Sequence, residues 1–202
     1  MITRQIADSI EKQSWIRRMF EAAGELKAKV GADNVFDFSL GNPDVPAPPA
    51  VGEALRELAK QADQPKFFGY VPNAGLPALR EKLAARLAKE QDVPVTADEV
   101  IVTCGAAGAL NALFRAILEP GDEVLCPAPY FVEYGFYAGN FGGVLKTVPT
   151  DEQFDPDLAA LEAALTERTK VVLINSPHNP TGRVYRQDII DGLAEVLRRK
   201  SA

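Results

Sequence analysis

A loop of small residues could bind a phosphate group. Segment 103–109, Thr-Cys-Gly-Ala-Ala-Gly-Ala, follows a strand-like run and precedes a helical pattern. Small side chains let a ligand approach the backbone, and the start of a helix offers unpaired N–H groups with a partial positive charge. Tight packing of the helix on a sheet is the alternative explanation. Because the segment matches neither G-x-G-x-x-G nor Gly-Lys-Ser/Thr, a nucleotide is the weaker form of the phosphate interpretation.

A second loop presents aromatic rings. Segment 127–134 contains Pro127 and Pro129, which stiffen the chain, and Phe131 and Tyr134 follow them. An aromatic face can stack on a flat heteroaromatic ligand. Ordinary core packing is the alternative explanation for aromatic residues at this spacing.

The third loop, segment 175–182 (Asn-Ser-Pro-His-Asn-Pro-Thr-Gly), gives the strongest signal for a ligand site. Pro180 fixes the backbone after Asn179, and Gly182 permits a sharp turn. The Asn179 amide could then donate a hydrogen bond to a ligand oxygen, although Asn-Pro pairs are also common in plain turns. His178 is the only histidine. Without a Cys, Asp or Glu partner at motif spacing, it is expected to be structural rather than catalytic.

The elements around these loops predict an α/β layered domain. Strand-like apolar runs alternate with helical patterns from residue 100 onward, which indicates a mostly parallel sheet. In open sheets of this kind, ligands bind at the carboxyl ends of the strands. The predicted strands are Val100–Thr103, Glu123–Cys126, Val144–Val148 and Lys170–Asn175. The predicted helices between and after them begin at about Phe131, at Pro156 with Asp155 as N-cap, and at about Gln187.

The first part of the chain has a different texture. Apolar residues at helical spacing predict a helix over 8–30 that Gly31 ends, then a strand-like run at Val35–Leu40 and a turn at 41–44. A proline-rich bend follows. We therefore predict an N-terminal arm or small-domain segment at 1–47 and a larger domain at 48–202. Two helices at the start of the larger domain, near residues 51–58 and 79–87, flank an aromatic loop at 67–75.

Composition argues against several classes of partner. The chain has 202 residues and a formal net charge of −6, and its pI is about 5.0. An acidic chain without a Lys/Arg block is a poor binder of nucleic acid or anionic membranes. No apolar run approaches the ~20 residues of a membrane span, and the mixed polar N-terminus shows no secretory signal. Cys104 and Cys126 lack metal-ligand spacing, which favours reduced core thiols in a cytoplasmic protein and no metal site.

Taken together, the three loops resemble those of the pyridoxal phosphate (PLP) enzymes of fold type I, specifically the class I/II aminotransferases of the aspartate aminotransferase type. The resemblance implies the family's large-domain fold, a three-layer α/β/α arrangement. Five ordered segments carry it, and they cover almost the entire chain from about residue 9: Leu40-Gly41-Asn42-Pro43, Tyr70-x-Pro72-x-x-Gly75-x-x-x-Leu79-Arg80, Thr103–Ala109, Pro120–Leu125 with Pro129-Tyr130-Phe131-x-x-Tyr134, and Asn175–Gly182.

The resemblance implies cofactor contacts residue by residue. Gly105, Ala106 and Ala107 would cradle the phosphate of PLP. Phe131 would stack on the pyridine ring, and Asn179 would hydrogen-bond the phenolate oxygen. Some relatives have a hydroxyl or basic side chain in the phosphate cup, where this chain has alanines, so fewer phosphate bonds are expected from this loop.

The remaining implied roles concern the surroundings of the cofactor. Tyr134 would lie one layer behind it. Tyr70 would reach the phosphate of a neighbouring subunit, which implies the family's homodimer. Gly41 would lie against the carboxylate of the substrate, an amino acid or a 2-oxo acid.

The lysine that holds PLP as a Schiff base is expected to be absent. The family carries it in a Ser-x-x-Lys-type segment downstream of the asparagine motif, and none of the ten lysines lies in that context. We therefore predict no catalytic residue in this chain. It is expected to be an N-terminal fragment, inactive alone, in which Val100–Thr103 lacks its sheet neighbours.

The parent enzyme would transfer an amino group between an amino acid and a 2-oxo acid. A PLP-dependent lyase of the same fold and a non-catalytic phosphate-binding fragment are the alternatives.

Overall fold

A computed structural model of the chain describes residues 2–38, 41 and 45–201. These residues form seven α-helices and three β-strands. In chain order the elements are α1 (Arg4–Val30), α2 (Pro49–Ala59), α3 (Pro77–Gln91), α4 (Gly105–Ile117), β1 (Glu123–Pro127), α5 (Glu133–Gly139), β2 (Val144–Val148), α6 (Leu158–Ala164), β3 (Thr169–Val172) and α7 (Gln187–Ser201). The chain divides into two compact units, residues 1–70 and 71–202. The predicted domain boundary at residue 47 stays a prediction.

The second unit contains a parallel sheet. Among the described residues its strand order is β2-β1-β3, and β1 pairs in parallel with both neighbours. Pro127 at the end of β1 lies opposite Val148 at the end of β2. Parallel neighbours end at the same edge of a sheet. The loops after all three strands therefore begin at one edge, as the sequence predicts.

Two hydrophobic cores lie on opposite faces of this sheet. Successive side chains of a strand point to opposite faces. Accordingly, Val124 packs with Phe114 and Leu118 under α4 and α5. The next residue, Leu125, packs with Leu161 and Leu193 under α6 and α7. The result is the three-layer α/β/α arrangement, and it explains why all of β1 is buried.

A buried carboxylate at the start of β1 joins the three strands. Glu123 forms a salt bridge with Lys146 of β2, whose Nζ lies 2.5 Å from its carboxylate. It also accepts hydrogen bonds from the hydroxyls of Thr166 at 2.7 Å and Thr169 at 3.2 Å. The Lys146 ammonium and the two hydroxyls hold the pKa of Glu123 below its ordinary value. Burying a charge is costly unless it is paired and hydrogen-bonded, and both conditions are met here.

The first unit starts with α1, whose N-cap Thr3 accepts a hydrogen bond from the Ile6 amide at 3.3 Å. Gly31 ends the helix as predicted, and Lys27 pairs with Asp37 at 2.7 Å. Of the predicted strand Val35–Leu40, residues 35–38 form no strand. The rest of that run, and all of the predicted 41–44 turn except Gly41, lie outside the described residues.

The predicted strand Val100–Thr103 does not form: none of the described strands lies beside this run, and its hydrogen bonds go elsewhere. Arg80 of α3 donates to the Val100 carbonyl at 2.8 Å and to the Ala97 carbonyl at 2.5 Å. The Val102 amide donates to the Ala74 carbonyl at 2.9 Å. The segment is extended at Val100, but none of the described strands pairs with it.

The predicted N-cap at Asp155 is wrong by two residues. Helix α6 begins at Leu158, and its N-cap is Asp157, whose Oδ1 accepts from the Ala160 amide at 2.9 Å. Asp155 is buried and forms an ion pair with Arg183. Two aspartates flank Pro156, and the one left free of a distant partner caps the helix.

Gly75 provides a test of the close approach between the segment at 74–75 and Val102. Its φ is +102°, and a Cβ there would lie 2.8 Å from both Cβ and Cγ2 of Val102. We expect Gly75→Ala to reduce the free energy of unfolding by about 1–3 kcal/mol, measured in urea. As a control, Gly24→Ala in α1 meets no atom within 4 Å, and it should stabilise by about 0.5–1 kcal/mol. Equal stability of Gly75→Ala and the unmodified chain would contradict the close approach.

Candidate active site

The start of α4 lies at the same edge as the loops after the strands. Helix α4 and strand β1 are joined by only five residues, 118–122, and Phe114 and Leu118 pack on Val124 at the start of β1. The helix therefore runs antiparallel to the strand. Its 13 residues rise about 20 Å, which spans the length of the strand. Segment 103–109 thus faces the carboxyl edge.

The start of α4 has open hydrogen-bond donors. Its N-cap residue is Cys104, and no side chain caps the helix. The Gly105 amide is bonded to the Thr103 carbonyl at 2.9 Å, whereas Gly105, Ala106 and Ala107 are all exposed. A Cβ on Gly105 would meet nothing within 4 Å. The first-turn amides after Gly105 are therefore accessible to an anion.

The two cysteines differ from each other. Cys126 is buried in β1, and burial raises the pKa of its thiol to about 12. Cys104 is exposed, so the expectation of two core thiols is wrong for that residue. The first backbone amides of a helix have no partner within the helix, so residues there are usually exposed to solvent or to a ligand. Both thiols are free.

The loop after β1 brings two of the predicted residues into contact. The rings of Phe131 and Tyr134 meet edge to face, with centroids 5.5 Å apart and planes at 81°. Tyr134 is buried, and burial raises the pKa of its hydroxyl. Phe131 is half-buried. Tyr134 thus supports the Phe131 ring from one edge.

The loop after β3 forms a closed turn around Asn179. The His178 amide donates to the Arg183 carbonyl at 2.7 Å, and the Gly182 amide donates to the His178 carbonyl at 2.7 Å. The Asn179 amide N–H donates to Asn175 Oδ1 at 2.9 Å. Gly182 has a φ of +74°, the left-handed conformation that glycine adopts without a steric cost. The side chain of Asn179 is exposed, and no described residue hydrogen-bonds to it.

His178 is part of the turn itself. It is buried, its Nδ1 lies 2.8 Å from the Thr181 hydroxyl, and its ring centroid is 5.9 Å from that of Tyr185. Burial lowers the pKa of the imidazole, which keeps it neutral near pH 7. His178 therefore contributes to the packing of the turn through Thr181 and Tyr185.

Sequence reasoning missed an ion pair between this turn and the loop after β2. Arg183 donates from Nε to Asp155 Oδ1 at 2.7 Å and from Nη2 to Oδ2 at 2.5 Å. Arg183 and Arg186 hold the pKa of Asp155 below its ordinary value. The partners are 28 positions apart. No local pattern connects them, and only the parallel sheet brings their loops together.

Not all predicted site residues lie in the second unit. Gly105, Ala106, Ala107, Phe131, Tyr134 and Asn179 do, but Gly41 and Tyr70 belong to the first. Tyr70 is fully exposed. Among the described residues, Phe131 and Tyr134 are the two predicted site residues in direct ring contact. The predicted ligand roles of all eight stay predictions.

Other features lie away from this edge or offer no ligands. A cavity of about 530 Å³ lies along the open edge of β3, where it is bordered by Leu197 and Lys200 of α7. Within the described ranges, no three His, Cys, Asp or Glu side chains cluster as metal ligands would. In the same ranges, no helix has the length and apolarity to cross a membrane.

Comparison with known proteins assigns the family. The model of aminotransferase class I and II matches residues 33–202. The chain belongs to this family.

The relatives that match include proteins named as aspartate-type aminotransferases. The chain is 44% identical to a probable aspartate/prephenate aminotransferase from Thermus aquaticus, over 85% of this chain and 44% of the relative. It is 37% identical to a probable aspartate aminotransferase from Methanocaldococcus jannaschii, over 92% of this chain and 46% of the relative.

Solved structures share the fold. An aminotransferase from Eubacterium rectale superposes with a TM-score of 0.91 at 37% identity, over 100% of this chain and 51% of that one. Thermus thermophilus aspartate aminotransferase with maleate gives 0.78 at 38% identity, over 91% of this chain and 47% of that one. The chain spans about half the length of the relatives it matches.

The single histidine makes the stability of the turn sensitive to pH. Because burial lowers the pKa of His178, the unfolded chain binds a proton at about pH 6.5 that the folded chain does not. Stability should therefore fall as pH decreases below about 6.5. Asp155 and Glu123, whose pKa values are also lowered, lose their contribution only near pH 4 and below.

Urea unfolding at pH 7.5 and pH 5.5 would measure this dependence. His178→Gln should flatten the difference between the two pH values, even if it lowers stability at both. An unmodified chain equally stable at pH 7.5 and 5.5 would contradict a neutral, buried His178.

Proposed function

We propose that these loops belong to a PLP-dependent aminotransferase, which transfers an amino group between an amino acid and a 2-oxo acid. The observation that carries the proposal is a pair of donor sites at one edge of a parallel sheet for which the described residues supply no side-chain partner. One is the uncapped start of α4, and the other is the exposed amide of Asn179. Membership of the aminotransferase class I and II family supports the same chemistry.

The residues present fit a phosphorylated pyridine. The exposed backbone at Gly105, Ala106 and Ala107 suits the phosphate, since an anion is stabilised by helix-start amides. Phe131, supported at its edge by Tyr134, offers a face to the ring. The exposed side-chain amide of Asn179, to which no described residue hydrogen-bonds, suits the phenolate oxygen. When bound, PLP supplies the electron sink on which amino-group chemistry depends.

Each residue then acts by binding or orienting. The α4 amides hold the phosphate, and this charge-assisted contact fixes one end of the cofactor. Phe131 restricts its tilt. A hydrogen bond donated by Asn179 stabilises negative charge on the phenolate oxygen and thereby tunes the ring.

The substrate and partner assignments rest on the family. Gly41 is proposed to approach the substrate carboxylate, and Tyr70 to reach the phosphate in a partner subunit of a homodimer. The full exposure of Tyr70 suits contact with a second copy. Several relatives are named aspartate or aspartate/prephenate aminotransferases, so a dicarboxylic amino acid is the first substrate to test. A cytoplasmic location is proposed from the two free thiols.

We also propose that the chain does not catalyse transamination alone. No lysine lies in segments 103–109, 127–134 or 175–182. Lys146 of β2 is paired with the buried Glu123, at the edge of the sheet opposite these loops. The chemistry needs a lysine to hold the cofactor and to move a proton.

Pyridoxamine 5'-phosphate is the appropriate probe for the site, because it lacks an aldehyde and cannot condense with surface lysines. We expect the chain to bind it saturably in a fluorescence titration. Asn179→Ala should weaken binding about tenfold or more, since a hydrogen bond to a charged oxygen contributes about 1.5–3 kcal/mol. Phe131→Ala should also weaken it. Asn34→Ala, which removes a bond to the Val30 carbonyl in the first unit, serves as the control.

Three results would count against the proposal in different ways. Absence of saturable binding would remove it. Binding that competes with inorganic phosphate but ignores both Asn179→Ala and Phe131→Ala would indicate a simple phosphate-binding module. Transamination of aspartate by the chain with added PLP would overturn the proposal that it is inactive alone.

A further inference from the structure

The Asn179 side chain owes its direction to its backbone alone. It is exposed, and no described residue hydrogen-bonds to its amide. Its orientation therefore depends on the turn from His178 to Arg183. That turn closes through the His178 amide and the Arg183 carbonyl. A contact that restrains Arg183 therefore also restrains the turn that carries Asn179.

Arg183 is held by its side chain as well as its backbone. The guanidinium meets Asp155 with both Nε and Nη2, a two-bond geometry that fixes angle as well as distance. Asp155 is buried, and its side chain is 6% exposed. A buried carboxylate cannot leave its cation without stranding a charge. Arg186 approaches the same carboxylate only to 3.6 Å, and it pairs with Asp188.

Asp155 is itself held within the loop after β2. Its amide donates to Asp151 Oδ1, and its carbonyl accepts from the Asp151 amide, both at 2.9 Å. Next to this loop, Thr150 bridges to Pro156. The Thr150 hydroxyl donates to the Ala128 carbonyl at 2.9 Å. Ala128 lies in the loop that carries Phe131.

We propose that Asp155 and Arg183 are positioning residues that hold the 178–183 turn, and with it the Asn179 amide, in register with the loop that carries Phe131. The inference rests on the proposed cofactor role of Asn179. Neither side chain needs to touch the cofactor. The pair links the loops after β2 and β3, and Thr150 extends the link to the loop after β1.

The test is a double-mutant cycle in the full 202-residue chain. Arg183→Lys keeps the charge but loses the two-bond fork. It should weaken pyridoxamine 5'-phosphate binding about tenfold, which corresponds to about one charged hydrogen bond. In an Asn179→Ala background, the same substitution should change affinity less than about twofold, because the group being positioned is gone. Asp155→Asn should behave in the same way.

A matched control uses the same substitution elsewhere. Arg199 pairs with Glu162 through the same two atoms, at 3.2 and 3.0 Å, and joins α7 to α6. Arg199→Lys should leave affinity unchanged. Circular dichroism and thermal unfolding would verify that every variant is folded.

Hydrogen exchange gives a readout that does not need the cofactor. Arg183→Lys should accelerate exchange of the His178 and Gly182 amides, while the β1 amides stay protected. Equal losses of affinity with and without Asn179, or unchanged exchange at both amides, would overturn the positioning role. If the unmodified chain fails to bind pyridoxamine 5'-phosphate, the proposed function fails. In that case, the exchange rates alone decide whether the ion pair anchors the turn.

Discussion

Parallel pairing of β1 with both neighbours is the constraint on which the rest of the second unit depends. Because β2 and β3 both pair in parallel with β1, the loops after all three strands begin at one edge. Polar contacts join these loops in turn, through Thr150 to Ala128 and through Arg183 to Asp155. Residues far apart in sequence become neighbours only because the strands run the same way.

The opposite edge of the sheet has a different task. There Glu123 contacts Lys146, Thr166 and Thr169, so one carboxylate joins the start of β1 to the middle of β2 and the start of β3. The polar partners of Glu123 are thus side chains of this chain. At the carboxyl edge, by contrast, no side chain caps the start of α4, and no described residue hydrogen-bonds to the side chain of Asn179. This asymmetry is typical of α/β sheets, in which ligands bind at the carboxyl ends of strands.

Local pattern was a good guide where local physics decides the structure. The strands β1, β2 and β3 and the helices α1 and α7 were predicted from the sequence pattern. Burial follows the pattern in α7, where Leu193 and Val196 are buried, but Leu26 and Val30 of α1 are exposed. Two of the failures share one cause. Val100–Thr103 has a strand-like composition, but Arg80 and Ala74 take its hydrogen bonds. Asp155 has an N-cap composition, but Arg183 takes its carboxylate. The sequence shows which groups a residue can bind, but it does not show which distant partner binds it in the folded chain.

The same limit applies to the candidate site. Segments 103–109, 127–134 and 175–182 could be found because small residues, prolines and aromatic residues are conspicuous in sequence. The groups that support them could not, since Arg183 and Tyr185 follow the motif without any distinctive pattern.

Tyr185 shows what the support requires. It is buried against His178, its amide donates to Ser176 Oγ at 3.2 Å, and its hydroxyl has no partner among the described residues. Burial raises the pKa of that hydroxyl to about 12, so the group keeps its proton and remains an unused donor. An unsatisfied buried donor costs about 1–3 kcal/mol, a cost that phenylalanine would avoid. Proteins break such local rules mainly where a site must be built. Tyr185 therefore packs against the turn that carries Asn179 at a cost in stability, because its hydroxyl is buried without a partner among the described residues.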